Sequence, residues 1–241
     1  MTTVQAVLDE YGDGTPVRSL AAAYRSFERW TGDEPVLLVA EAAASTTGQR
    51  FVGGVKPAVE RFREAFVAAD RAPSFADLAA LDVDDDALVA ALGAQRKRGV
   101  LLEIAAVLAD RPESDDLDAL RAWAAEADQY RYEADPIGSI SGVGPASFQY
   151  LRQLAGVEAV CPSPAVRAFL DLLAADLESA PRPATALDAA VLDATPLRTI
   201  AACEWLSLRT TYTPLEVDRL AWWTCTDPDD REAVLAASGL A

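Results

Sequence analysis

Apolar residues recur every three or four positions along most of this chain, and that spacing limits what it can fold into. Such a period places the apolar side chains on one face of an α-helix, whereas a half-buried strand needs strict alternation. Val59, Phe62 and Phe66 share one stripe in this way. The only apolar run that resembles a strand, Val36 to Val39, continues directly into an alanine-rich helical pattern. The sequence therefore predicts an all-α protein.

Caps, glycines and prolines mark the expected helix boundaries. Ser74 is suited to cap a helix, with Asp77 three residues later in the pattern of a capping box, and Gly93 ends the next helix. The segment 178–185, with two prolines, is predicted to be a loop. The predicted helices cover 4–8, 20–30, 35–44, 56–66, 73–78, 84–92, 98–108, 115–127, 147–155, 164–177, 186–192, 196–208 and 216–225.

Length and composition narrow the possibilities further. At 241 residues the chain can bury a large core, as one domain or as two small lobes that share a cleft. The apolar fraction of 51% excludes disorder throughout. No stretch reaches the ~18 uninterrupted apolar residues that a membrane span needs, and the first residues lack the pattern of a signal peptide. We expect a soluble, cytoplasmic protein that forms a single domain over 1–241 and has no membrane partner.

The charge balance is strongly acidic. The formal net charge is −17, histidine is absent, and Lys56 and Lys97 are the only lysines. An acidic surface repels a phosphate backbone, which by itself argues against nucleic-acid binding. A cytoplasm at molar salt gives another explanation, because carboxylates keep a surface hydrated where charges are screened within about 3 Å. We expect a halophilic, haloarchaeal protein, for which net charge says little about partners.

The side chains that bind metals or act as nucleophiles are few. Cys161, Cys203 and Cys225 lie far apart and form no CxxC pair, so their spacing predicts neither a zinc site nor an iron–sulfur cluster. Burial as small residues is the simpler interpretation of all three. Because the chain has no histidine, it can form neither a Ser-His-Asp triad nor an imidazole metal site. We expect no cofactor held by side chains.

A glycine turn at Ser141-Gly142-Val143-Gly144 is the most informative local segment. Its two glycines permit a positive φ and close approach of another backbone, and Val143 can anchor the turn inward. Pro145 follows, which suits the first turn of a helix. Amides at such a turn and helix N-terminus point outward together, which creates a site for a phosphate oxygen.

The segment from Ile140 to Gly144 resembles the helix-hairpin-helix motif of the endonuclease III and 3-methyladenine glycosylase superfamily. That motif is an apolar residue and a variable one, then Gly-Val-Gly, then a helix. The similarity extends over about 36–225, where four segments are similar to successive parts of the family: 45–49, 55–66, 75–92 and 93–99. The resemblance implies a two-lobed, all-α fold of the glycosylase type. It also implies that the turn contacts the backbone of double-stranded DNA.

Both catalytic positions of that superfamily are replaced in this chain. Members that also cleave the DNA backbone use a lysine as a Schiff-base nucleophile two residues after the second glycine, where this chain has Ala146. The family's aspartate falls on Ser163 when aligned on Val166, or on Pro162 in the neighbouring register. A serine supplies no negative charge at neutral pH, and losing one electrostatic group costs enzymes about 10²–10³ in rate. Ser163 can still cap the following helix.

Another carboxylate can in principle replace the missing aspartate. Asp135, before the turn, and Glu204, among apolar neighbours, are the main candidates, with Glu133 as a third. In a chain with 38 acidic residues, a solvated surface acid is the simpler interpretation of each. The resemblance also implies a potassium ion shared between a DNA phosphate and the hairpin carbonyls of Ser141 and Val143. It implies no iron–sulfur cluster, because the four-cysteine spacing is absent.

Basic side chains near the turn are candidates for phosphate contacts. Arg96-Lys97-Arg98 is the densest basic patch, and it either contacts phosphates or pairs with Asp84 to Asp86. Arg152 and Arg167 flank the turn and the loop at Ser163 and are also predicted to bind DNA. For Arg167, pairing with a local carboxylate is the alternative.

Aromatic side chains crowd the C-terminal part of the chain, at Trp205, Tyr212, Trp222 and Trp223. In a base-flipping protein such rings can stack an extruded nucleobase. Core packing is the simpler interpretation, because Trp205 and Trp222 lie on stripes with other apolar residues.

Three functions remain open from the sequence. The leading hypothesis is a DNA-binding protein of the helix-hairpin-helix glycosylase fold, in DNA repair, without the usual glycosylase or lyase catalysis. The second is an active, monofunctional DNA glycosylase with a relocated carboxylate. The third is an all-α interaction scaffold that binds a protein partner and no nucleic acid.

Overall fold

Helices make up the regular structure of the described residues. The computed structural model describes residues 3–46, 48, 50–178 and 195–240, and no strand occurs within them. Two π-helical segments, π1 (Phe51–Val55) and π2 (Arg63–Val67), flank the fourth α-helix, and a 3₁₀-helix covers Gln129–Ala134. The expected all-α fold is confirmed. The α-helices are α1 Val4–Gly12, α2 Val17–Arg25, α3 Pro35–Ser45, α4 Lys56–Phe62, α5 Phe75–Ala79, α6 Asp86–Leu92, α7 Gln95–Ala109, α8 Asp116–Glu126, α9 Pro145–Leu154, α10 Pro164–Glu178, α11 Pro196–Arg209, α12 Pro214–Cys225 and α13 Pro228–Ala237.

Some observed boundaries differ from the predicted ones. The helix expected over 20–30 begins at Val17 and ends at Arg25, since Phe27 turns the chain at a φ of 57°. The sequence patterns miss α13 and the 3₁₀-helix, because neither contains a buried residue. The loop predicted over 178–185 and the helix predicted over 186–192 lie outside the described residues, except that Glu178 ends α10.

Side-chain caps begin several of the helices. Ser74 accepts a hydrogen bond from the amide of Asp77, as predicted, but the Asp77 carboxylate accepts from the Ser74 hydroxyl rather than from a backbone amide. The reciprocal capping box lies instead at Thr213 and Glu216, where α12 begins. Ser163 accepts from the amide of Val166 at 3.3 Å, so the capping role predicted for it is confirmed.

Two hydrophobic cores organise the fold. The first is built mainly from α2 to α9 and encloses α3, whose residues from Val36 to Ala44 are at most 3% exposed. The second joins both ends of the chain, because α1 packs there with α10, α11 and α12 around Phe169 and Leu173. Apolar burial of this extent is the main source of stability, at roughly 25 cal/mol per Å². No helix in the described part of the chain is both long and apolar enough to cross a membrane.

A polar network joins the two cores. Glu204 on α11 accepts hydrogen bonds from Gln129 and Tyr130 of the 3₁₀-helix. Gln129 in turn accepts from Gln149 and Arg152 of α9, at 2.8 and 2.9 Å. The network therefore holds α11 against α9.

Candidate functional site

The glycine turn predicted at 141–144 is present and leads into α9. Gly142 adopts a φ of 109°, which strains any other residue, and the amide of Val143 donates to the carbonyl three residues earlier at 2.9 Å. Val143 packs against the first core, as expected for an inward anchor. Gly144 is the N-cap of α9 and Pro145 opens the helix, so no side chain caps its first amides.

Arg96 of α7 lies on this turn. Its Nη2 donates to the carbonyl of Gly142 at 3.2 Å, and a Cβ added to Gly142 would lie only 2.8 Å from its Nε. The exposed guanidinium therefore brings a positive charge to the carbonyl of Gly142, in the turn where the resemblance implies a potassium ion on the carbonyls of Ser141 and Val143. Within the described residues, no group of three or more cysteine or acidic side chains is placed to hold a metal.

A cavity of about 410 Å³ lies beside the N-terminus of α9. Ala146 and Ser163, the two positions where the resemblance places catalytic residues, both line it. Its other walls come from α2, π1, α12 and α13. The volume falls within the ~300–1,000 Å³ typical of small-molecule sites. The fold therefore brings Ala146 and Ser163 together at one cavity.

Aromatic rings and arginines form much of the cavity wall. The rings are those of Tyr24, Phe51, Tyr150 and Trp222, and the cations are Arg29, Arg50 and Arg219. Of these residues, the sequence pattern had indicated only Trp222.

Glu41 lies behind this wall and neutralises Arg29. It is fully buried on α3 and accepts hydrogen bonds from both terminal nitrogens of Arg29, from Thr31 at 3.0 Å and from the hydroxyl of Tyr150 at 2.6 Å. Burial, together with the charge of Glu41, raises the pKa of Tyr150 well above its ordinary value. Tyr150 is therefore a neutral hydrogen-bond donor at physiological pH.

A second buried ion pair joins Arg219 to Asp218 on α12. Arg219 also donates to the hydroxyl of Tyr24 at 2.9 Å. The guanidinium groups of Arg29 and Arg219 lie 4.2 and 4.8 Å from the centroid of the Tyr24 ring. Asp218 accepts from the amide of Cys161 at 2.7 Å. Both inner arginines are thus compensated by buried carboxylates, and their contacts tie α2, α12 and the loop before α10 together.

Cys161 lines the cavity next to Ser163. Its sulfur lies 3.5 Å from the carbonyl oxygen of Ala146. Burial, reinforced by the nearby charge of Asp218, raises the pKa of the thiol to about 12. The group is therefore a neutral thiol at physiological pH and a poor nucleophile.

The carboxylates predicted as substitutes do not line the cavity. Asp135 accepts from the indole of Trp123 at 3.1 Å and from a backbone amide at 2.8 Å, so it supports the loop before the turn. Glu204 belongs to the network that joins the cores, and Glu133 is exposed beside the neighbouring tyrosine hydroxyl. Among the described residues of the cavity wall, the acidic one is Asp230 of α13.

The basic side chains considered for phosphate contacts occupy different environments. Arg152 is 8% exposed and donates to a carbonyl of α8 and to two glutamine side chains, so it lies in the interior and not at a surface that DNA can reach. Arg98 is buried and pairs with Asp84, the alternative expected for this patch. Lys97 is buried as well, and burial lowers its pKa. Arg167 is half-buried on α10.

The C-terminal aromatic residues divide between core and cavity. Tyr212 is buried in the second core, and Trp205 and Trp223 pack against it. Trp222 is half-buried and faces the cavity. Core packing therefore describes three of the four residues. Trp222 instead faces the cavity, because it lies nearly one helical turn after Arg219 and so on the same face of α12.

One feature of the sequence does point to the buried ion pair behind the cavity wall. Glu41 is a single charge within an otherwise apolar helix, and a buried charge requires a partner. The partner itself is unpredictable from spacing, because Arg29 and Tyr150 come from other elements.

Comparison with models of known protein families, with curated proteins and with solved structures finds no match.

Proposed function

We propose that this protein binds the backbone of double-stranded DNA through the turn at 141–144 and accepts an extruded nucleobase in the adjoining cavity. We further propose that it lacks the base excision typical of the superfamily it resembles. The observation that supports this most is the position of the cavity, beside both Ala146 and Ser163. A cavity at this point that lacks the superfamily's lysine and aspartate is suited to hold a base rather than to cleave its glycosidic bond.

The arrangement of the two cores supports the finer fold proposal, a two-lobed fold of the helix-hairpin-helix glycosylase type. One core comes from the middle of the chain and the other from its two ends. The cavity is lined from α2 and α9 on one side and from α12 on the other. Ligand sites commonly form at such junctions.

The chemistry of the wall favours a nucleotide. Because Glu41 and Asp218 compensate the two inner arginines, the interior is suited to an uncharged planar group. Stacking on an aromatic ring is worth about 1–3 kcal/mol per base. Arg50 is exposed, and no carboxylate pairs with it in the described part of the chain, so it is placed to contact a phosphate of the same nucleotide.

Gly144→Ala tests the turn. A Cβ at Gly144 meets nothing within 4 Å, and the position has an ordinary φ of −114°, so the fold tolerates the change. The added methyl group would keep a phosphate oxygen away from the amides, and we expect duplex affinity to fall about tenfold, or 1.4 kcal/mol. Fluorescence anisotropy with a labelled duplex in concentrated KCl measures this, because we propose a haloarchaeal cytoplasm as the working environment.

Gly99→Ala, on α7, is the matched control, since its Cβ would meet only a carboxylate oxygen of Glu103 at 3.9 Å. It should bind like the wild type. Wild-type affinity in the Gly144→Ala variant would contradict phosphate binding at the turn. So would a log–log salt slope near about −10, because such a slope requires many Lys and Arg contacts. If no duplex binds at any salt concentration, the interaction scaffold becomes the better hypothesis.

Ala146→Phe tests the cavity separately from the turn. The ring would fill the space beside Ser163, so the duplex should still bind while base extrusion is lost. The fluorescence of 2-aminopurine placed in the duplex reports extrusion, because the base brightens when it leaves the stack. Equal brightening with both proteins would contradict the use of this cavity.

Asp230 gives a specific reason to test a second function, base excision with a relocated carboxylate. It is the acidic residue on the described cavity wall. Duplexes that contain uracil, 8-oxoguanine or an alkylated base should then lose that base in concentrated KCl, and Asp230→Asn should abolish the release. Base release that persists in Asp230→Asn but stops in Asp135→Asn or Glu204→Gln would show that one of the acids predicted from the sequence is the catalytic carboxylate.

A further inference from the structure

The C-terminal helix α13 lies along one side of the cavity, and none of its residues is fully buried. Asp230 and Val234, one helical turn apart, both line the cavity. The helix packs near π1, whose Phe51 and Val55 form the facing wall. No residue of α13 is buried. A helix without a fully buried residue contributes less to global stability than the core helices do, and it detaches at a lower free-energy cost.

The polar attachment of α13 lies near its N-terminal end. Within the described residues, one side-chain hydrogen bond joins it to another element: Arg231 donates to the carbonyl of Trp223 at 3.1 Å, and its guanidinium lies 5.1 Å from the indole centroid. Thr226 and Asp227 alone connect it to α12, and neither is helical. This short joint has the character of a hinge.

α13 is acidic, whereas the cavity wall carries an exposed arginine, Arg50, with which no carboxylate pairs in the described part of the chain. Between 227 and 232 the chain carries four carboxylates and one guanidinium. The other two arginines of the wall, Arg29 and Arg219, are already neutralised by Glu41 and Asp218. An acidic helix at this place repels the phosphates of an incoming nucleic acid.

We propose that α13 is a hinged acidic cover, which lies over one side of the cavity in the free protein and swings away about Thr226 and Asp227 to admit an anionic ligand. It is an autoinhibitory contact, because the apparent affinity of any ligand falls by the fraction of molecules that are open. The opening of the cover is independent of what the ligand is. The prediction that the cover competes with DNA for the cavity rests on the proposed function.

Cys161 provides a direct reporter of opening, since its thiol lines the cavity that α13 covers. With Cys203→Ala and Cys225→Ser as background, one thiol remains, and its rate of modification by a methanethiosulfonate reagent at alkaline pH can be followed. Deletion of 227–241 should raise this rate about tenfold, because the cover is gone. The melting temperature should hardly change, because α13 buries none of its residues.

A point substitution tests the same idea in the full chain. Arg231→Ala removes the contact with Trp223 and should raise the modification rate several-fold by loosening the cover. Glu232→Ala, the neighbouring exposed residue, should leave the rate unchanged. Unchanged Cys161 reactivity in the deletion variant would overturn the proposal. A large drop in melting temperature on deletion would overturn it too, because α13 would then be part of the structural core.

The same deletion separates the cover from the DNA proposal. If both are correct, removal of 227–241 raises affinity for a labelled duplex about tenfold together with the thiol reactivity. A gain in thiol reactivity with no DNA binding by either protein supports the cover and overturns the proposed function. DNA binding that is unaffected by deletion, with unchanged thiol reactivity, supports the proposed function and overturns the cover.

Discussion

Glu41 and Asp218 shape the cavity although neither lines it. Each is fully or almost fully buried, at 0% and 1% exposed, and each holds a cavity arginine. Each also accepts from a neutral group of the wall, the hydroxyl of Tyr150 or the amide of Cys161. A buried ion pair adds little net stability, but it is costly to break. The two carboxylates therefore fix the geometry of the wall more than they stabilise the fold.

Glu41→Gln is expected to destabilise the protein by about 3–5 kcal/mol, the usual cost of leaving one charge of a buried pair uncompensated. The amide keeps the size of the side chain but removes the charge that balances Arg29. Chemical denaturation in concentrated KCl measures the loss. The double variant Arg29→Met, Glu41→Leu should recover most of it, because no unpaired charge remains. Equal destabilisation in the double variant would show that packing, and not charge, is responsible.

Asp85 supplies a prediction about acid stability. It caps α6 by accepting from the amides of Ala87 and Leu88, and it pairs with Arg71. The hydrogen bond from Arg71 holds the pKa of Asp85 below its ordinary value. A lowered folded-state pKa means that the stabilisation is present above the unfolded-state pKa and is lost as pH falls through the folded-state pKa.

Asp85→Asn keeps the capping acceptor but loses the ion pair, so at neutral pH it should lower the free energy of unfolding by less than about 1 kcal/mol. Asp85→Ala loses the cap as well and should lower it by about 1–2 kcal/mol. The difference between wild type and Asp85→Asn should shrink as the pH falls below 4, because the wild-type carboxylate becomes protonated. Thermal melts across this acidic range provide the measurement. A difference that grows on acidification would contradict the lowered pKa.

Most helices were predictable because periodicity and caps act locally. The apolar stripes indicated α4, α7 and α10, and the cap at Ser74 was visible in the sequence. α13 escaped prediction because it buries no residue and so has no apolar stripe to detect. Its place in the molecule is set by contact with π1 and by the joint at Thr226, and these are tertiary effects that no local pattern records.

Two glycines in different elements should respond oppositely to alanine. Gly99 lies inside α7, where alanine is favoured over glycine by about 0.5–1 kcal/mol and its Cβ meets only ordinary contacts. Gly142 has a φ of 109°, and its Cβ would press on Arg96. Gly99→Ala should therefore raise the free energy of unfolding and Gly142→Ala lower it by about 1 kcal/mol or more. Denaturant titration of both variants checks this, and a stabilised Gly142→Ala would contradict the strained turn.

For the molecule as a whole, the turn at 141–144 was predictable and the wall of the cavity was not. The turn could be predicted because its backbone conformation, with a positive φ, requires glycine. The wall, in contrast, combines Tyr24 near the start of the chain with Tyr150 in the middle and Arg219 near the end. Such a combination arises only when the two cores pack together, so it is a property of the fold. The sequence therefore predicted the turn beside the cavity but not the side chains that form the cavity wall.

The net charge of −17 predicts that stability depends on salt. At about 0.1 M salt the screening length is ~10 Å, so repulsion among the surface carboxylates opposes the compact state; at about 1 M it is ~3 Å. The melting temperature should therefore rise with KCl concentration and level off near molar salt. Replacing the exposed acids Glu10, Glu103 and Glu232 by glutamine should weaken this dependence, because the self-repulsion is smaller. A melting temperature that is the same in dilute and molar KCl would rule out self-repulsion as a determinant of stability and remove the charge-based argument for a halophilic protein.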